Sequence, residues 1–289
     1  MRNPIRRNRN LGTSKQGHGS NNRLSIPFPS QHKLGEHLFF HERLGRHRTT
    51  ELTLATVEIP CLVEETQPYS AYACTVEDAW RMLGLLPPEL VQALAFVVFR
   101  QPKRKERILR PAWGRLVYFY QYQNEIRPAI IMEAQDFRQP LWMSRRMDPE
   151  RALEFERLQA DGHEFVEEKK GWAAELTLEA CRNTQLYRTL PHELGHLDHY
   201  LRFRAKLEAE LQAIGWEEDV AEDSAMERYF SIPSPEKEQY AHRFAEKSLQ
   251  PLFPTGQLPF ERQLNAAFLE KHGLLESDFS LQMGDREDG

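Results

Sequence analysis

The sequence predicts an α+β fold in which a small antiparallel sheet precedes one well-marked helix and a mostly helical C-terminal part. β-branched and aromatic runs are concentrated between residues 50 and 140, as is typical of strands. Leucines recur at helical spacing from Leu186 to Leu201, and stretches with helix-start and helix-stop residues continue to about residue 275.

Charge and composition divide the 289 residues into three predicted parts. Residues 1–35 contain seven Lys and Arg and no acid, which indicates a basic disordered arm and leaves the rest of the chain at −12. Residues 36–275 are predicted to form one domain, sheet-rich over 50–140 and helical over 147–275, and residues 276–289 an acidic tail. The 40% hydrophobic and 28% charged composition is typical of a soluble globular protein.

Two segments predict the strands. Residues 51–65 have the β-branched content of a strand, and Pro60 is expected to place it at a sheet edge or to split it. Residues 114–122 and 127–137 are aromatic and β-branched runs about five residues apart, which is typical of an antiparallel hairpin.

Capping residues predict the helices. Thr75 stands three residues before Asp78, in a pattern like a capping box. Asp148 and Ser234 are each followed by proline, as N-cap residues often are. The predicted helices cover residues 75–86, 148–162, 234–251 and 259–273, the second and last closing at Gly162 and Gly273.

The cysteines and the lack of long apolar runs predict a cytoplasmic protein. The three cysteines are few, odd in number and widely spaced, which argues against a disulfide framework and for a reducing compartment. No run of 18 apolar residues occurs, so neither a membrane span nor a membrane partner is expected. The N-terminus lacks the apolar core of a secretory signal.

The stretch "RTLPHELGHLDHY", residues 188–200, carries the candidate chemistry. In a helix, His192 and His196 lie one turn apart on one face with Cβ atoms about 5–6 Å apart, so both imidazoles can reach one ion. Glu193 is about 100° round the helix, where it can reach a water on the metal without being a ligand. This spacing supports metal-assisted hydrolysis.

The leucines of the same segment support a helix with two distinct faces. The histidines fall about 200° and 240° from Leu190, opposite the apolar stripe. Pro191 is expected either to follow an N-cap near Thr189 or to mark a kink. The alternative is that both histidines are half-buried and satisfied by backbone groups.

A catalytic zinc has three protein ligands and one open position, so a third ligand is required. His199 shares the face of the two histidines but lies about 10 Å along the axis from His192, which predicts a role beside the ligands or in solvent. Glu238 has Ala241 and Ala245 within about 60°, and small residues let two helices approach closely. The other downstream carboxylates are Glu217, Glu218, Asp219, Glu222, Asp223, Glu227 and Glu236. The third ligand is therefore either Glu238 or a carboxylate in 217–227.

"RTLPHELGH" followed by "EKEQYAHRFAEKSLQP" resembles the ImmA/IrrE family of minimal zinc metallopeptidases, which belong to the gluzincin-like HExxH peptidases. The resemblance covers about thirty residues in two patches. It implies a zincin-like fold, with His192, His196 and Glu238 as ligands of Zn2+ and Glu193 as the general base.

The resemblance also implies hydrolysis of a peptide or protein substrate. Glu193 would take a proton from water and pass it to the leaving amine. The donor that stabilises the oxyanion is left open among His199, Tyr200, Tyr240 and His242. His242, one turn after Glu238, is alternatively a residue that orients a ligand.

Two other functions remain open from the sequence. One is a non-catalytic regulatory protein that binds zinc or associates with nucleic acid, and the basic arm supports it. A solvated arm is the stronger expectation, because the arm lacks the aromatic residues with which single-strand binders stack bases. The other is a zinc hydrolase that acts on a non-peptide amide.

Overall fold

The computed structural model describes residues 43–54, 57–103, 106–107, 112–123 and 125–281, together with the short strands β1 (Ser30–Gln31) and β2 (His37–Leu38). The chain forms two compact units, residues 1–43 with 102–112 and residues 44–101 with 113–289. In the first unit, β1 pairs antiparallel with β2. Most of the predicted basic arm lies outside the described residues.

The second unit contains a five-stranded sheet with the order β3-β4-β6-β8-β7. Its strands are β3 (His47–Leu54), β4 (Val57–Glu64), β6 (Phe96–Arg100), β7 (Gly114–Tyr122) and β8 (Glu125–Glu133). The prediction of an antiparallel sheet is wrong for its centre, because β6 runs parallel to both β4 and β8. Helices α1 (Val76–Leu83) and α2 (Pro88–Ala93) connect β4 to β6 and provide the crossover that a parallel pair requires.

Shorter strands complete the β structure. β5 (Ser70–Ala71) pairs with β9 (Gln135–Asp136). β10 (Leu141–Ser144), β11 (Val166–Glu168) and β12 (Gly171–Ala174) form a separate antiparallel sheet in the order β10-β12-β11. The segment predicted as helical from residue 147 is therefore interrupted by β11 and β12.

Both strand predictions can be compared with the structure. The predicted hairpin is confirmed, since β7 pairs antiparallel with β8 from Gly114 opposite Met132 to Tyr122 opposite Glu125. The 51–65 run is split between β3 and β4, but Pro60 does not mark the split, because it lies inside β4 opposite Glu51. Nor is β4 an edge strand, since it pairs with β3 on one side and β6 on the other, so the expectation for Pro60 is wrong.

In the described part of the chain, six further α-helices follow β9. They are α3 (Pro149–Ala160), α4 (Leu178–Asn183), α5 (Leu190–Ala213), α6 (Glu218–Ser231), α7 (Ser234–Leu249) and α8 (Ala266–Lys271). The capping box of Thr75 with Asp78 and the N-cap of Asp148 are confirmed. Helix α7 begins at Ser234 itself, without a side-chain cap. No helix in the described part of the chain is long and apolar enough to cross a membrane.

The last predicted helix is shorter than expected, because tertiary bonds hold its first half in a non-helical conformation. Gln263 N donates to the Asp78 carboxylate at 2.9 Å, and the Thr75 hydroxyl donates to the Gln263 carbonyl at 2.6 Å. Arg262 donates to backbone carbonyls elsewhere in the fold. The helix begins only after Asn265, whose side chain accepts from its first turn.

The core includes part of the predicted acidic tail. Phe279 is fully buried, and Asp278 accepts hydrogen bonds from both the backbone and the hydroxyl of Thr66. The packed domain thus continues past residue 275 to at least Phe279, while residues 282–289 lie outside the described part. The predicted leucine stripe also belongs to this core, with Leu186, Leu190, Leu194 and Leu197 all 0% exposed.

Candidate metal centre

The helix that carries the two histidines begins before its predicted start. α4 leads through a π-helical turn, Thr184–Thr189, directly into α5. Thr189 has helical dihedral angles, φ −67° and ψ −52°, so it is not an N-cap. Leu190 N–H donates to the Gln185 carbonyl, five residues back, immediately before Pro191. The irregularity expected around Pro191 is thus a π turn, a feature that occurs frequently at functional sites.

Gln185 fixes this turn against the sheet. Its side-chain amide is 1% exposed and donates to the carbonyl of Trp113 at 2.8 Å and to that of Glu133 at 2.7 Å. These carbonyls lie just before β7 and at the end of β8. The bonds therefore determine where α5 begins relative to the edge strand β7.

The imidazoles of His192 and His196 converge with the carboxylate of Glu238. The two Nε2 atoms are 3.1 Å apart, with ring planes at 89° to each other. Glu238 Oε2 lies 3.2 Å from His192 Nε2, and Oε1 lies 3.5 Å from His196 Nε2. Three donor groups from α5 and α7 thus face one point.

These separations fit a tetrahedral zinc ion. Zinc bonds of 2.0–2.2 Å at tetrahedral angles place neighbouring ligand atoms about 3.3–3.6 Å apart. The observed distances of 3.1, 3.2 and 3.5 Å lie close to that range, the last two measured to different oxygens of Glu238. Two imidazoles and a carboxylate are also a donor set that zinc accepts.

His242 is a further donor beside this group. One ligand atom each of His192, Glu238 and His242 lies within 4.8 Å of the others. The rings of His192 and His242 are 4.3 Å apart, and His192 Nδ1 is buried without a hydrogen-bond partner among the described residues. His242 therefore lies where its imidazole can either act as a further metal ligand or contact the ring of His192.

Small residues bring the two helices together. Ala241 is fully buried, and a Cβ atom added at Gly195 would lie 2.8 Å from the Ala241 Cα atom and 3.1 Å from the Phe244 Cβ atom. The expectation that alanines beside Glu238 allow a close helix contact is confirmed. The partner position on α5 is the glycine inside the histidine motif.

Glu193 lies between the imidazoles and the edge of the sheet. The backbone N–H of Leu116, in β7, donates to Glu193 Oε2 at 2.7 Å. Burial raises the pKa of Glu193, while the two neighbouring histidines and the Leu116 N–H act in the opposite direction. Sequence reasoning missed Leu116, because a backbone donor leaves no signal in the residue type.

Glu238 and His242 also have shifted pKa values. Hydrogen bonds from His192 and His196 hold the pKa of Glu238 well below its ordinary value. Burial lowers the pKa of His242 to about 4, so its imidazole is neutral near pH 7. The centre thus presents an ionised carboxylate and a neutral imidazole, the forms in which these groups bind metals.

The remaining predicted residues lie around the centre with other contacts. The His199 ring stacks on Tyr240 at 4.2 Å, and the Tyr240 hydroxyl donates to Asp198 at 2.5 Å. Tyr200 is buried, and its hydroxyl accepts from Arg204 at 3.2 Å. The hydroxyls of Tyr200 and Tyr240 therefore form hydrogen bonds with Arg204 and Asp198 and not with the candidate metal ligands.

The alternative carboxylates of 217–227 lie near or on α6, away from the imidazoles. All of them are exposed, and Glu222 forms an ion pair with Arg204. Glu238 is the carboxylate that the structure brings to both histidines.

Two tyrosines outside the histidine motif connect neighbouring elements to the helix that carries it. Tyr229, on α6, donates from its hydroxyl to the His196 carbonyl at 3.3 Å and accepts from the Tyr118 hydroxyl at 3.1 Å. This chain of hydrogen bonds connects β7 to the motif helix. The aromatic run that predicted β7 contains Tyr118, whereas no sequence pattern indicated Tyr229.

The chain matches no family model, no curated protein and no solved structure. The functional argument therefore rests on the geometry of this centre.

Proposed function

We propose that the chain is a zinc-dependent metallopeptidase of the HExxH class that hydrolyses peptide bonds. The observation that carries this proposal is the position of Glu238 against both imidazoles, with the partly buried Glu193 alongside. The resemblance of the two sequence patches to the ImmA/IrrE family points in the same direction.

His192, His196 and Glu238 would hold Zn2+ as three protein ligands. When bound, Zn2+ would supply Lewis-acid polarisation of a carbonyl and lower the pKa of water. Glu193 would accept the proton of the attacking water and deliver it to the leaving nitrogen. The Leu116 N–H holds one carboxylate oxygen of Glu193 and so positions the base.

The edge strand favours a peptide over a small amide as substrate. Among the described residues β7 is the outermost strand of its sheet, and its Leu116 contacts the proposed base. An extended peptide can pair with the outward-facing backbone groups of an edge strand, which provides affinity with little dependence on sequence. A small non-peptide amide cannot make this pairing.

Metal content is the first test. We expect stoichiometric zinc in the wild-type protein and loss of it in Glu238→Gln, with affinity falling at least as far as the 10–100-fold typical of outer-shell changes. Glu236→Gln is the matched control, since Glu236 is exposed on the same helix and should keep the zinc. The proposal would be contradicted if the wild-type protein contained no zinc after incubation with zinc, or if Glu238→Gln bound zinc as tightly as the wild type.

Hydrolysis is the second test. Glu193→Gln should keep the zinc and lower cleavage of a quenched peptide library by about 10²–10⁴-fold, because the proton transfer is lost. A set of small amides assayed in parallel distinguishes a peptidase from an amidase. If the wild-type protein binds zinc but cleaves neither the peptides nor the small amides, the peptidase proposal is contradicted and the alternative of a non-catalytic zinc-binding protein is supported.

A further inference from the structure

A cluster of aromatic rings adjoins the candidate centre. It consists of Tyr118 and Phe119 of β7, Tyr200 of α5, and Tyr229 and Phe230 of α6, with neighbouring ring centroids 4.9–6.3 Å apart. The pairing of β7 with β8 is irregular between Val117 and Tyr120. Because of this bulge, two successive side chains of β7 contact the same cluster.

The aromatic cluster is continuous with the proposed catalytic groups. Tyr229 donates to the carbonyl of His196, and Tyr118 donates to Tyr229. Tyr118 also follows Leu116, whose N–H holds Glu193, by two residues. Two residues of a strand span about 7 Å. Tyr118 therefore lies about 7 Å along the strand from Leu116, the residue that contacts Glu193.

Part of the cluster is open to solvent. Phe119 is 40% and Phe230 42% exposed, and their rings lie 5.9 Å apart. Tyr200 and Tyr229, which both contact Phe230, are 2% and 0% exposed. The two phenylalanines form an exposed apolar surface on a buried tyrosine floor, an arrangement that suits a bound apolar group.

We propose that Phe119 and Phe230 form a subsite for a large apolar side chain of the substrate, one or two residues from the scissile bond. This inference rests on the proposed peptidase function and adds a substrate class to it. A peptide paired with β7 beside Leu116 would place its next side chain on that face at Phe119 and Phe230.

A nearby positive charge determines which kind of side chain the subsite accepts. Aromatic rings bind either apolar groups or cations. Lys237 Nζ already lies 5.4 Å from the Tyr229 ring and 5.9 Å from the Phe230 ring. A substrate lysine or arginine would be repelled by this ammonium group, so an apolar side chain is favoured over a basic one.

Peptide selectivity of the zinc-loaded protein tests the subsite. In a quenched peptide series varied around the scissile bond, we expect kcat/KM for Phe, Leu or Met to exceed that for Ala or Lys by about 10–200-fold at one position. Phe230→Ala should lower this preference about tenfold, through a fall in kcat/KM for the Phe, Leu and Met peptides. Ile126→Ala is the control, since Ile126 is 59% exposed on β8 outside the cluster.

A binding measurement separates this inference from the proposed function. Fluorescence anisotropy with labelled peptides and zinc-loaded Glu193→Gln should show tighter binding of the Phe peptide than of the Ala peptide, and Phe230→Ala in that background should remove the difference. If the Phe peptide binds more tightly than the Ala peptide but the wild-type protein cleaves neither, the proposed peptidase function is contradicted and the apolar subsite is supported. Equal binding of both peptides, or an apolar preference unchanged in Phe119→Ala and Phe230→Ala, would overturn the subsite.

Discussion

Replacing Gly195 with alanine should separate the two helices that carry the candidate ligands. The added Cβ atom would lie 2.8 Å from the Ala241 Cα atom and 2.9 Å from the Ala241 carbonyl oxygen. Both are backbone atoms of α7, so no side-chain rotation relieves the contact. The helices must move apart, and α7 carries Glu238.

The size of the effect follows from these distances. Restoring a carbon–carbon contact of about 3.5 Å requires a shift of about 0.7 Å. Overpacking of this kind costs about 1–3 kcal/mol, and the higher helix propensity of alanine offsets about 1 kcal/mol, so the free energy of unfolding should fall by about 1 kcal/mol. Metal sites require ligand distances within about 0.2 Å, so the zinc affinity should fall at least about tenfold.

Urea denaturation and competition with a chromophoric chelator measure the two effects of Gly195→Ala. Gly84→Ala is the matched control, because its added Cβ atom would meet no atom closer than 3.4 Å and Gly84 has ordinary helical dihedral angles. A second substitution, Ala241→Gly, should not rescue the variant, since the clash is with backbone. Wild-type stability and wild-type zinc affinity in Gly195→Ala would refute the reasoning.

Three further predictions concern the surrounding fold and the metal. Arg182→Met should lower the free energy of unfolding by about 3–5 kcal/mol, because it leaves the fully buried Asp78 without its two-bond ion pair; a loss below 1 kcal/mol would contradict this. Burial lowers the pKa of His163, so the unfolded chain binds the proton more readily and stability falls as the pH drops below about 6.5. Thermal unfolding at pH 7.5 and 5.5 should show a smaller decrease in His163→Gln than in the wild type, and equal decreases would count against it. Removing zinc with a chelator should lower Tm, and added zinc should restore it. If the free zinc concentration was 100 times Kd before chelation, the loss of stability should be about 2.7 kcal/mol.

The sequence alone determined the local features of this protein. The spacing of His192 and His196 places both on one helix face whatever surrounds them, and four of the five leucines of the predicted stripe are fully buried, with Leu201 partly buried. The capping box at Thr75 and the hairpin of β7 and β8 were likewise predictable, because each depends on residues close together in the chain.

Only the tertiary structure decided the features that depend on distant parts of the chain. The parallel pairing of β6 depends on a crossover, and the non-helical 259–265 segment depends on bonds to Asp78 and Thr75. The position of Glu238, rather than a carboxylate of 217–227, against both imidazoles depends on how closely α7 approaches α5 at Gly195 and Ala241. The contact to Glu193 comes from the backbone of Leu116. Helical periodicity specifies which side chains share a face, but the partner of that face is selected by packing between segments far apart in sequence.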